Sequence, residues 1–469
     1  MLIMGIDVGT GGCKSSVCDT FGNIIASSYY EYNATRDSTG HSIDGEMIWQ
    51  CVKKVIFQAA KKCSSVGIEA IGVSTFGESA VPVNRNGEPL APIMLYTDTS
   101  GIEESAYLAQ KLGAQHIMEL TGAKSHPMYT LPKLMYIKKH NPKLYADTYK
   151  FLLIEDYIIF RLTGEAVIDY SLASRTMAFD IINKKWCDEV LNAAEIDKEK
   201  LSTPVPSGTI AGVVKASLAE ELGLLNDVLV STGGHDQTCA VVGAGVLSSG
   251  MSIDGTGTVE CITPVFDRPI TNEHMLKGGY ACVPHAINGL YQTYAFSFTG
   301  GALLRWFRDN FAHEAVQSAK EQGINVYKLL DSRVTHEPSG LLVLPYFAGA
   351  ATPRMDDKAV GAIIGLSLET TPTQIYRALM EGVTYEMLLN IEMLEKAGIT
   401  IGELRTTGGG AASPVWLQIK ADMIGKPVMS LESCEAGTMG AIMLAGTAAG
   451  IFKSLEDASK AMLRTGKVY

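Results

Sequence analysis

Two short stretches half a chain apart carry nearly the same residues: Ile6-Asp7-Val8-Gly9-Thr10-Gly11-Gly12 and Ile253-Asp254-Gly255-Thr256-Gly257-Thr258. Each packs Gly, Thr and Asp into a turn within or after an apolar run, a composition that lets backbone N–H groups and a hydroxyl approach phosphate oxygens closely. Asp7 with Thr10 and Lys14 forms the first candidate site, a strand-end acid able to hold Mg²⁺ through water, followed by donors for phosphate. One such turn is equally a glycine hairpin with a capping Asp. The repeat is what a generic turn does not predict, and it implies duplicated nucleotide-binding domains that face each other across a cleft and hold one polyphosphate between them.

Two further stretches could do chemistry. Gly233-Gly234-His235-Asp236-Gln237 follows a predicted strand at 228–231, and a doubled-glycine turn there would project the Asp236 carboxylate from the sheet edge, where a general base reaches an incoming hydroxyl. Asp236 also fits the cap of a helix starting at Gln237. Gly408-Gly409-Gly410-Ala411-Ala412-Ser413, between a predicted strand and a helix, suits close approach of an adenine or ribose ring. The histidines include no pair four residues apart and the cysteines no Cys-x-x-Cys, which argues against structural zinc.

The elements that must position these residues follow an α/β rhythm. Strands are predicted over 2–6, 15–19 and 23–30, joined by the turn Thr20-Phe21-Gly22-Asn23. A helix with Trp49, Val52, Val55, Ile56 and Ala59 on one face leads to a buried strand at 68–74. Further helices are read at 103–112, 131–140, 216–222, 373–396, 414–424 and 436–450, with strands at 341–344, 403–407 and 428–431. Tyr291 to Phe298 alternates like a strand and core wall, and Arg305-Trp306-Phe307-Arg308 reads as a packed helix with solvated charges.

A chain of 469 residues is too long for one core under ordinary size scaling. The repeat places the boundary near Gly243 to Ser249, giving domains 1–245 and 246–469. The net charge of -11 argues against a broad nucleic-acid footprint, so a small-molecule partner is expected. The nine scattered cysteines, Cys434 among them, read as reduced core residues. No basic region precedes the first apolar run and no apolar stretch reaches spanning length, so a soluble, cytoplasmic protein without membrane association is expected.

Acid-Gly-Thr-Gly at the start, Gly-Gly-x-Asp-Gln at mid-chain, Gly-Thr-Gly after it and Gly-Gly-Gly-Ala before a late helix together resemble the FGGY family of carbohydrate kinases over essentially the whole chain. Ile71-Gly72-Val73-Ser74, Thr130-Leu131-Pro132-Lys133-Leu134, Ser171-Leu172-Ala173-Ser174-Arg175-Thr176 and Glu435-Ala436-Gly437-Thr438-Met439-Gly440-Ala441 agree with it. The resemblance implies two actin- and hexokinase-like (ribonuclease H-like) α/β domains around an interdomain cleft. ATP with Mg²⁺ would be held mainly by the second, a sugar mainly by the first. It makes Asp236 the catalytic base, has Thr10 and Thr256 line the phosphate path, and gives the metal to Asp7.

The implied substrate residues are Gly77, Glu78, Tyr96, Asp98, Asp236 and Gln237, and the implied cofactor residues Thr10, Gly11, Lys14, Gly255, Thr256, Gly257, Gly409, Gly410, Ala411 and Ser413. Glu78 aligns with an acid of glycerol kinases, where xylulose kinases show Met-His. The segment Tyr96 to Ser100 lacks the arginine that often closes that motif, and Tyr136 stands where Trp is usual. Xylulose or ribulose leads by chain length and general pattern, with erythritol, gluconate and glycerol open. An actin- or chaperone-like ATPase switch and a catalytically silent sugar sensor are the competing classes, and a homodimer is left open.

Overall fold

The computed structural model describes residues 1–37, 40–63, 66–225, 227–432 and 435–469. A meander opens the chain. Strand Leu2–Val8 pairs antiparallel with Gly12–Asp19, which pairs antiparallel with Ile24–Glu31. On its other side Leu2–Val8 runs parallel to Ala70–Thr75, followed by Leu229–His235 and the edge strand Ile210–Val213. The parallel crossover is made by helix Gly45–Lys62. Asp44 starts that helix by accepting from the N–H groups of Glu46 and Met47, and Trp49, Val52, Val55, Ile56 and Ala59 are buried along one face.

The second half repeats the plan. Strand Met251–Thr256 pairs antiparallel with Glu260–Phe266 and parallel with Glu403–Thr407, which runs parallel to Val428–Leu431; Thr465–Val468 closes the edge antiparallel. Asp7 and Asp254 therefore hold the same topological place, near the carboxyl end of a central strand that turns back on one side and has a parallel neighbour on the other. Ligands of open α/β sheets bind at such carboxyl ends.

Helices Asp236–Gly243 and Ala436–Ala448 cross at backbone contact: a Cβ on Gly440 would sit 1.8 Å from the Cys239 carbonyl oxygen. The second of these helices also seals the first half's sheet. Met439, Ile442, Met443 and Leu444 form one buried cluster with Ile3, Cys18, Ala70, Cys239 and Val242. Burying a side chain of this size is worth about 1.5–3 kcal/mol, so helix Ala436–Ala448 helps hold strands Leu2–Val8, Gly12–Asp19 and Ala70–Thr75 together.

Helices lie at Ile102–Leu112, Thr130–His140, Pro372–Lys396 and Pro414–Ile424 as their signals predict, whereas the strand read over Tyr291 to Phe298 is split into Tyr291–Gln292 and Ala295–Ser297. The described cysteines are free thiols, all buried except half-buried Cys261, and Cys434 lies outside the described residues. Among the described residues no helix is long and apolar enough to cross a membrane.

Candidate active site

Thr10 and Gly11 form the tip of the first hairpin, closed by a hydrogen bond from Gly9 N–H to the Gly12 carbonyl at 2.9 Å and braced by Tyr32, whose hydroxyl donates to the Gly9 carbonyl at 2.6 Å. Asp7 lies two residues before that turn and accepts from the Ser74 hydroxyl at 2.8 Å. Burial raises its pKa, Ser74 and Lys14 pull the other way, and Glu435 pushes it up again. Lys14, opposite Asp7 in the register, gives its ammonium to Glu435 in an ion pair. Asp7 suits Mg²⁺: it is a hard oxygen donor whose negative charge the site leaves only partly compensated. Among the described residues no cluster of three or more His, Cys, Asp or Glu could cage a metal. One carboxylate completed by water and phosphate is the habit of Mg²⁺.

The doubled-glycine turn expected before Asp236 is not a turn. Strand Leu229–His235 runs straight through Gly233 and Gly234, with a register shift between Thr232 and Gly234, and the helix begins at Asp236 itself. The strand continues because side chains of two helices support it: Gly233 N–H donates to the buried carboxyl of Glu155 at 2.8 Å and His235 N–H to the Ser171 hydroxyl at 2.9 Å. As the first helical residue, Asp236 accepts from Gln237 N–H at 2.6 Å and keeps 38% of its side chain exposed. Burial raises its pKa to about 7, helped by the charge of Asp7 and opposed by the Gln237 N–H. His235, 3.3 Å from Asp236 Oδ1 through Nε2, is buried beside Arg175, and both circumstances hold it neutral, well below the usual histidine range.

Of the predicted substrate residues, Gly77, Glu78, Tyr96 and Gln237 gather here. Gly77 backs onto the His235 ring, and Tyr96 is 39% exposed with its phenol raised by burial and then by Glu78 and Asp236. Glu78 has a left-handed φ of 65° and is buried. Its carboxylate is held by Arg175, whose Nε lies 2.6 Å away and whose guanidinium sits 5.0 Å from the Tyr129 ring and 5.4 Å from the Tyr294 ring. Burial works against the charge on Arg175, yet Glu78 and the two phenols leave its pKa raised.

Asp98 does not join the group. Its oxygens accept from His41 N–H at 2.7 Å and Ser100 N–H at 2.8 Å, so the carboxylate ties its own loop to the strand Gly40–Ile43. Burial would raise its pKa, and the Ser100 and His41 hydrogen bonds outweigh that and lower it.

A cavity of about 490 Å³ opens in the second half between the repeated turn and the triple-glycine loop, and Gly257, Thr258, Gly409, Gly410 and Ser413 line it. That volume is ordinary for a small-molecule site. Ser413 caps helix Pro414–Ile424 by accepting from Trp416 N–H at 3.1 Å, which turns the positive end of that helix toward the cavity. Three expectations need correction here. Thr256 is 1% exposed and its hydroxyl is bound by Lys420 at 2.7 Å, so it faces the interior and lines no phosphate path. Neither Gly255 nor Ala411 lines this cavity, whereas Ala412 does.

Sequence reasoning missed Arg175, Glu435, Lys420 and Tyr294. The first two lay inside motif stretches already quoted. Arg305, read as a solvated helix charge, lines the cavity instead, its guanidinium 3.4 Å from the Thr258 hydroxyl.

The N-terminal domain model of the FGGY family of carbohydrate kinases matches residues 2–243, and its C-terminal domain model matches residues 252–449. The chain belongs to the FGGY family of carbohydrate kinases. It is 29% identical to the xylulose kinase of Bacillus subtilis (strain 168), covering 100% of this chain and 92% of that protein. It is 28% identical to the gluconokinase of the same organism, covering 97% of this chain and 89% of that protein. A ligand-bound xylulose kinase structure from Lactobacillus acidophilus superposes with a TM-score of 0.89 at 25% identity, over 100% of this chain and 93% of that one. The two-domain ribonuclease H-like architecture with its interdomain cleft is thus that of the FGGY kinases, and membership implies ATP-dependent phosphorylation of a carbohydrate.

Proposed function

We propose that this FGGY kinase transfers the γ-phosphoryl group of ATP to a hydroxyl of a neutral small sugar, a pentulose such as xylulose. The observation that carries the reading is Asp236: a part-exposed carboxylate with a pKa near 7, held by its own helix start and placed beside both Asp7 and the Glu78 group. Asp236 takes the proton from the acceptor hydroxyl, a service that typically supplies about 10²–10⁴-fold. Neutral His235 and the Gln237 N–H keep the carboxylate oriented. Backbone N–H groups of the Thr10 and Gly257 turns face the polyphosphate from opposite halves. Asp7 would hold Mg²⁺, which when bound offsets phosphate charge. Closure of the halves would keep water from competing with the sugar.

Charge supports a neutral acceptor over an aldonate. Arg175 is already paired with Glu78, Lys14 with Glu435, and Lys133 is buried with its ammonium on the Asp98 and Ser100 carbonyls, so an incoming carboxylate would face Asp236 and Asp7 with the nearby cations already engaged. The whole-length likeness to xylulose kinases supports the ketopentose among neutral sugars. The test is ADP release measured against a panel of xylulose, ribulose, erythritol, glycerol and gluconate. Stimulation by a ketopentose is expected. Release indifferent to every sugar would refute the kinase reading in favour of an ATPase switch, and a preference for gluconate would refute the charge argument.

A further inference from the structure

Beneath the cavity lies a group of charges that the chemistry above does not use. Lys420 Nζ sits 2.5 Å from Asp254 Oδ2, 2.7 Å from the Thr256 hydroxyl and 3.1 Å from Glu260 Oε1, and all three charged side chains are at most 2% exposed. Burial disfavours the charge on Lys420, but the two carboxylates more than restore it. Burial likewise pushes Glu260 up to about 8 against the pull of Lys420.

Taking such ions out of water costs several kcal/mol each, and apolar side chains of the same volume hold a strand to a helix as well or better. What the ionic arrangement adds is direction. Lys420 grips Asp254 and Thr256 on one strand and Glu260 on the next, and so fixes both ends of the turn at residues 257–259, which Gly257 N–H closes onto the Val259 carbonyl at 2.9 Å. The same lysine reaches the opposite wall. Its helix carries Trp416, a lining residue whose ring is 5.1 Å from Nζ, and Gly410 packs so closely on Thr256 that a Cβ there would lie 2.5 Å from Thr256 Cγ2.

We propose that Lys420 is a positioning residue for the nucleotide's phosphates, holding the Gly257–Thr258 turn through Asp254, Thr256 and Glu260 without touching the nucleotide itself. This rests on the reading of the cavity as the nucleotide site. The variant Lys420→Met/Asp254→Asn/Glu260→Gln, which removes all three ionisable side chains together, tests it in the full chain by calorimetry with ATP and with adenosine, alongside the KM for sugar.

The expected result is a loss of ATP affinity of about 10- to 100-fold, the size expected when hydrogen bonds to a charged phosphate are weakened, with adenosine affinity and sugar KM unchanged. Unchanged ATP affinity, or equal losses for ATP and adenosine, would overturn the proposal, the second because general damage to the cavity does not distinguish the two ligands. If the triple variant does not fold, Thr256→Val leaves all three charges in place and carries the same comparison. Wild-type protein that binds neither ligand would overturn the functional reading and this inference with it, an outcome separate from loss in the variants alone.

Discussion

Replacing Asp236 by Asn removes the proposed proton acceptor while keeping shape and the hydrogen bond from Gln237 N–H, so two consequences of opposite sign follow. The first is kinetic. With a pKa of about 7, the carboxylate is the active form, and kcat/KM of the wild type rises with pH through that value. About a tenth of the plateau remains at pH 6 and about a hundredth at pH 5. The Asn variant loses about 10²–10⁴-fold in kcat on the plateau, with sugar KM little changed.

The second consequence is on stability. A carboxyl whose folded pKa is raised from 3.8 to about 7 is protonated in both states below the lower value. Between the two values only the unfolded chain ionises, so the native state loses stability as pH rises, and the full penalty is present above about 7. Asp236→Asn is therefore more heat-stable than wild type at pH 8, and the difference disappears toward pH 4. A coupled ADP assay and melting curves across this range check both. An acid limb near the ordinary carboxylate value, or an Asn variant that is slow but no more stable at pH 8, would refute the argument that the site's low polarity and Asp7 raise the pKa of this acid.

Arg175→Met leaves the Glu78 carboxylate buried without its partner and is expected to cost about 3–5 kcal/mol in denaturant unfolding, most of it recovered when Glu78→Gln is added. Asp98→Asn is expected to destabilise by about 1–3 kcal/mol, because it weakens acceptance from two backbone N–H groups, while sugar KM stays at the wild-type value; a raised KM without lost stability would return Asp98 to the substrate site. Excess EDTA is expected to abolish phosphoryl transfer and leave sugar binding measured by calorimetry intact, since Asp7 serves the polyphosphate.

Most elements were legible in the sequence because their causes are local. Asp44 caps the helix that follows it, the apolar face of Gly45–Lys62 repeats at helical spacing, and the two Gly-Thr turns close over a few residues. The strand through Gly233 and Gly234 was not legible. Glycine pairs signal a turn by intrinsic preference, and the groups that keep this pair extended come from Glu155 and Ser171. Arg175 was visible as a letter in a motif but not as a partner of Glu78, which lies 97 residues earlier. The structural tie of Asp98 was hidden for the same reason: the His41 N–H it satisfies is 57 residues away.

The duplicated acids mark the division most clearly. Sequence alone established that Asp7 and Asp254 begin the same kind of turn in two halves of similar plan, because a turn is decided by the residues within it. The different fates of these acids were decided only by the fold. It brought Lys420, 166 residues downstream, against Asp254 and made that acid part of a buried ionic frame. Asp7 it left with the Ser74 hydroxyl and the nearby opposite charges of Lys14 and Glu435. Charge interactions depend on distance through space and on exclusion of water, and separation along the chain carries neither.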